Sequence, residues 1–264
     1  MTIIAITLIT IGLADVLRRD DRFANLRYPC PAMIFAFIFP VLLAPLVGIT
    51  IAQDWFVLYV GIATAIGWII TSHDATRQNQ RHALPLGILL GGLAVLALFG
   101  TQSPTGGALG DWLNTRAMTG LQSLGAETLL LFIGAALLQL STGNIIVRLV
   151  LAHIGALRPV GEPQPSDRLK GGRLLGPMER LFILGLGLAG QVTAAGLVIA
   201  AKGLIRFPEL QAQARADADP VPDLSKPRSR RGPGIDELTE YFLIGSFVSW
   251  LVALATLALV WLGS

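Results

Sequence analysis

Residues 240–262 read EYFLIGSFVSWLVALATLALVWL, and nothing after Glu240 in that stretch carries a charge. A helix needs about 20 consecutive apolar residues to cross the hydrocarbon core of a bilayer, whereas the helices of soluble domains keep a polar face. The stretch therefore reads as a bilayer-spanning helix. Working outward from it, six further segments read the same way: Thr2–Leu17, Pro31–Ala52, Trp55–Thr71, Ala83–Gly100, Glu127–Leu157 and Glu179–Arg206. Backbone groups in lipid must be satisfied within the chain, and no alternating strand-length pattern suggests a barrel. The expectation is an all-α, polytopic membrane helix bundle of about seven transmembrane helices. It forms a single membrane-embedded domain over residues 1–264.

Composition points the same way. The chain is 53% hydrophobic and only 14% charged, with a mean hydropathy of +0.65. A soluble domain carries about 25% charged residues. The net charge of +3 and pI near 9.4 could suggest nucleic acid. The basic residues instead sit in short loops beside apolar runs, where they set membrane orientation, and no aromatic-interleaved basic surface is present. The lipid bilayer is thus the expected partner, not nucleic acid. Cys30 is the sole cysteine, so neither an intrachain disulfide nor a thiolate cluster can form. No basic region precedes the first apolar run before Arg18 and Arg19, which reads as an uncleaved first helix.

Three regions depart from plain spans. Pro40 and Pro45 in the second segment each remove a backbone hydrogen bond, predicting a kink. Residues 101–126 form an extramembrane loop in which Leu109, Trp112, Leu113, Ala117, Leu121 and Leu124 repeat at helical spacing, predicting a short interfacial amphipathic helix. Residues 208–235, rich in Ala, Asp, Pro and Arg, read as a disordered linker between segments six and seven.

Orientation contains a conflict. Arg18, Arg19, Arg22 and Arg27 follow segment one, Arg77 and Arg81 follow segment three, and Arg158, Arg168, Lys170 and Arg173 follow segment five. The positive-inside rule then places the N-terminus outside and, with seven spans, the C-terminus in the cytoplasm. Yet Lys202, Arg206, Arg215, Lys226, Arg228, Arg230 and Arg231 follow segment six, which strict alternation puts outside. Either the rule fails there, or segment six is re-entrant, or the helix count is wrong by one.

No catalytic or cofactor-binding signature is present: no HExxH, GxSxG, GxGxxG or Walker lysine motif. Accordingly no cofactor is expected. Asp15 is an intramembrane acid and a functional candidate by default. Arg18 and Arg19 follow at helical spacing, so an interfacial ion pair is the competing reading. His73, Asp74 and His82 share the loop after segment three and are weak metal-ligand candidates. Arg180, Gln191 and Lys202 recur every eleven residues, hence on nearly one face of a continuous helix. With Gln139, Ser141, Thr142, Asn144 and Arg148 of segment five they suggest a polar clamp or a solute path. Lys202 and Arg206, four apart, could also pair with Glu240 across antiparallel helices.

The run Gly172-Arg173-Leu174-Leu175-Gly176, then Glu179-Arg180, Gly190-Gln191, Ala200-Ala201-Lys202, Arg206-Phe207 and Glu240-Tyr241-Phe242-Leu243-Ile244-Gly245 resembles a bacterial integral membrane family, domain-of-unknown-function family 3307. The resemblance covers mainly residues 172–250, with a looser match around Leu13-Ala14-Asp15 and His73-Asp74. It implies that Glu179, Arg180, Gln191, Lys202, Arg206 and Glu240 form a shared polar core, and it implies a bacterial inner membrane location. In that family a histidine precedes each corresponding aspartate by one helical turn. Here Ile11 and Ile70 stand in those places, which opposes metal chemistry.

Three function classes follow. The leading one is a non-enzymatic scaffold, accessory subunit or regulator that binds a membrane protein partner or a second copy. The alternative is a small-solute or ion transporter or channel. The third is a degenerate intramembrane metal-dependent enzyme.

Overall fold

The computed structural model describes residues 1–18, 29–49, 52–100, 106–116, 125–157, 172–217 and 235–263. Among them the fold is all-α, with ten helices. In chain order these are α1 (Thr2–Arg18), α2 (Cys30–Leu46), α3 (Ala52–Gln78), α4 (Ala83–Phe99), α5 (Gly107–Arg116), α6 (Ala126–Leu140), α7 (Thr142–His153), α8 (Gly172–Leu188), α9 (Val192–Asp217) and α10 (Ile235–Leu262). Among the described residues, α3 and α10 are each long and apolar enough to cross a membrane, and α6 with α7 makes a third if the bent pair is one span.

Several expected boundaries shift. Segment three continues to Gln78, so His73 and Asp74 lie on α3 and not in a loop. Segment five is broken at Ser141 into α6 and α7, which meet at 50°. Segment six is not one helix. A turn at Ala189–Gly190, with Gly190 at φ 72°, separates α8 from α9. The positive φ is the left-handed conformation that glycine adopts without a Cβ clash, and it reverses the chain. Residues 208–217, expected as the start of a disordered linker, belong instead to α9, which carries Pro208 and runs to Asp217. Residues 218–234 lie outside the described residues, as do 117–124 of the expected amphipathic helix, whose first part is α5. Both prolines of the second segment lie inside α2, with Pro40 buried.

Helix directions follow from which residues meet. The Met1 ammonium pairs with Glu127 at 2.6 Å, and the Ser141 hydroxyl donates to the Asp15 carbonyl at 3.0 Å, so α1 and α6 run parallel. Gly61 faces Thr7 while Trp68 reaches Asp15, so α3 runs parallel to them too. Gly92 faces Thr64 and Gly67 faces Ile88, making α4 antiparallel to α3. A Cβ added at Gly263 would meet Leu131 and Met1, and one at Gly245 would meet Leu151 and Val147, so α10 descends antiparallel to α6 and α7. Arg180 meets Ser249 and Gly187 meets Leu257, so α8 is parallel to α10. Gly203 of α9 lies beside Phe242–Phe247, back at the opposite end, so α9 reverses α8. Both described chain ends, Met1 and Gly263, therefore lie at one end of the molecule. Segment six doubles back between α8 and α9, which brings them to the same end.

Burial is inverted relative to a soluble bundle. Along α10, Ser246, Ser249, Ala253, Thr256 and Val260 point inward, while Leu243, Phe247, Leu251, Leu254 and Trp261 point outward. Ile34, Phe37, Ile38, Leu42 and Leu46 make a similar outward face on α2. In water such faces would aggregate; in lipid they are solvated. The central helix α1 is buried nearly all round, from Thr2 to Asp15, against α6, α2 and α3.

Lipid tails solvate leucine as well as a protein core does, so close packing and polar contacts must supply what apolar burial cannot. Gly12 provides such a contact. A Cβ there would lie 2.8 Å from Leu137 Cβ and 2.9 Å from the Leu137 carbonyl carbon, so α1 and α6 touch backbone to backbone. Gly12→Ala should lower stability by about 1–3 kcal/mol, the usual cost of overpacking. Gly87→Ala on α4, where nothing lies within 4 Å, should be neutral or mildly stabilising. Unfolding both variants in detergent against a common reference checks the pair.

Candidate functional site

The break between α6 and α7 is written as Gln139-Leu140-Ser141-Thr142-Gly143-Asn144. Ser, Thr and Asn offer the backbone competing hydrogen bonds, and Gly weakens helix propagation. Ser141 takes φ −126° and ψ −54°, off the helical values. A break in lipid exposes carbonyls at the end of one helix and N–H groups at the start of the next, and these must find partners. Two buried polar nodes sit on either side of it.

The first node is built on Asp15, whose side chain is wholly buried. Its carboxylate accepts from Trp68 Nε1 at 3.0 Å and from Thr142 Oγ1 at 2.7 Å, and it pairs with Arg18 one turn along α1. Arg18 Nη1 also donates to the Ile69 carbonyl at 2.9 Å, and Nη2 to Ser72 Oγ at 3.1 Å. Asp15 thus ties α1 to α3 and to the first residue of α7, where a helix N-terminus favours negative charge.

Arg180 on α8, 1% exposed, centres the second node. Its Nη2 donates to the Gln139 carbonyl and to Asn144 Oδ1, both at 2.7 Å, and Nη1 donates to Ser249 Oγ at 2.9 Å. The guanidinium caps the carbonyl end of α6, where a helix favours a cation. Gly143 makes room for it: a Cβ there would stand 2.8 Å from Arg180 Nε. The neighbouring Glu179, also buried, accepts from Trp250 Nε1 at 2.7 Å. Gln139 Nε2 donates to Thr256 Oγ1, joining α6 to α10. A planar fork of donors suits this three-way contact where a lysine ammonium would not.

The expected site residues divide. Asp15, Glu179 and Arg180 belong to these two nodes, which together form a buried polar belt. Gln191 does not, because it sits exposed in the turn after α8, and the eleven-residue face with Arg180 and Lys202 is interrupted there. Lys202 and Arg206 lie on α9 with side chains outside the described residues, and Glu240 is exposed near the start of α10. His73 and Asp74 follow Ser72 on α3, and among the described residues no three His, Cys, Asp or Glu side chains gather as a metal-holding group. Sequence reasoning missed Trp68, Ser72, Ser249, Trp250 and Thr256. The usable signal was general: a tryptophan N–H or hydroxyl in a membrane helix needs an acceptor. Set against known proteins, the chain matches no protein-family model, no curated protein and no solved structure.

Proposed function

We propose that the chain is a multi-pass membrane protein acting as a scaffold or accessory subunit, not as an enzyme. The observation that carries this reading is the use of its buried charge. Asp15, Arg18 and Arg180 are bonded to helices of the same chain, while the outward faces of α2, α4 and α10 are apolar. Such a belt holds a bundle together, and such faces meet lipid or another membrane protein. Co-purification of the full chain in mild detergent, followed by mass spectrometry, tests it. A reproducible stoichiometric membrane partner supports the subunit role. A monodisperse protein without partners that moves a solute in vesicles refutes it.

Eight passes fit the helix directions: α1, α2, α3, α4, α6 with α7, α8, α9 and α10. Several are short; a helix of 17 residues spans about 26 Å, and the bilayer thins locally to meet it. With eight passes the charge conflict does not arise. Arg18, Arg77 and Arg81 lie at one end of the bundle, and the chain enters residues 19–28, 158–171 and 218–234 from that end. Every basic segment then faces the cytoplasm, and both termini face outside. The resemblance to domain-of-unknown-function family 3307 adds a bacterial inner membrane to this proposal. Cytoplasm-active and periplasm-active reporters fused after Ser264 check the topology. Activity only of the periplasmic reporter is expected, the reverse of what seven passes would give.

A transporter reading draws on the 50° break in α6–α7, with an anion and a cation at its two halves. Discontinuous helices of this kind form ion and solute sites in many carriers. Solute-dependent charge movement in vesicles that disappears in Arg180→Gln would favour it.

A further inference from the structure

We draw no further inference here: the strongest candidate, the apolar groove between α9 and α10 lined by Phe242, Phe247 and Trp250, carries none, because nothing in the structure shows what covers it.

Discussion

Arg18→Ala should destabilise the bundle by about 3–5 kcal/mol, because it strands a buried carboxylate. Asp15 is wholly shielded by its neighbours, and Arg18 is the cation paired with it among the described residues. With the arginine gone, Trp68 and Thr142 still donate to the carboxylate, but two neutral donors do not replace a charge at low dielectric. The Ile69 carbonyl and the Ser72 hydroxyl lose their donor as well. An exposed pair of this kind would be worth about 0–1 kcal/mol, so the magnitude separates a buried node from an interfacial anchor. The double variant Asp15→Asn with Arg18→Ala should recover much of the loss, since no charge is then stranded. Unfolding free energies of the wild type, both single variants and the double variant, measured in one detergent, give the coupling. Additive single effects would show that the two side chains do not act together.

Arg180→Ala should cost about 2–4 kcal/mol, set by three acceptors left without a donor. Those acceptors belong to three contexts: the Gln139 carbonyl at the end of α6, Asn144 on α7 and Ser249 on α10. Single interhelical hydrogen bonds in membranes average only about 0.6 kcal/mol, so a small loss would mean that each contact is replaceable. The larger value is expected because the Gln139 carbonyl sits at a helix break, where the protein supplies its donor. Removing the cation also relieves its own burial cost, which keeps the figure below that for Arg18. Arg180→Lys should rescue only part, since an ammonium on a flexible stem cannot span the three sites. Gly143→Ala should mimic a fraction of the Arg180 loss by pushing the guanidinium away. Reversible unfolding of the three variants, with crosslinking between α6 and α10, checks both the energy and its origin. A stability equal to wild type for Arg180→Ala would remove the clamp from this account.

The exposed Glu240 bears on the expected lock with Lys202 and Arg206. Gly203 of α9 and Phe242 of α10 line one groove, but the side chains of Lys202 and Arg206 lie outside the described residues. An exposed pair at Glu240 would be worth about 0–1 kcal/mol. The larger energies lie deeper, at Asp15 and Arg180.

What the amino-acid sequence determined by itself was the all-α class of fold and the place of several of its apolar helices. Apolar runs at Thr2–Leu17, Ala83–Gly100 and Glu240–Leu262 became α1, α4 and the body of α10, because length and hydropathy alone decide whether a helix can lie in lipid. Asp15 was also legible, since an ionisable residue inside an apolar run is rare enough to stand out; Arg180 drew notice through its spacing to Gln191 and Lys202, and Glu179 only through the family resemblance. Tertiary structure decided the rest. The break at Ser141 and the reversal at Gly190 are not distinguished by hydropathy, which reads straight through both. Each persists because distant residues meet the freed backbone groups or pack the reversed helix: Arg180 at the Gln139 carbonyl, Asp15 at Thr142, and α10 against both α8 and α9. The partners of the buried charges, Trp68, Ser72 and Ser249, lie 53, 54 and 69 residues away along the chain. Periodicity registers neighbours three or four residues apart, whereas a hydrogen bond across helices depends on their direction and depth, which only the packed bundle sets.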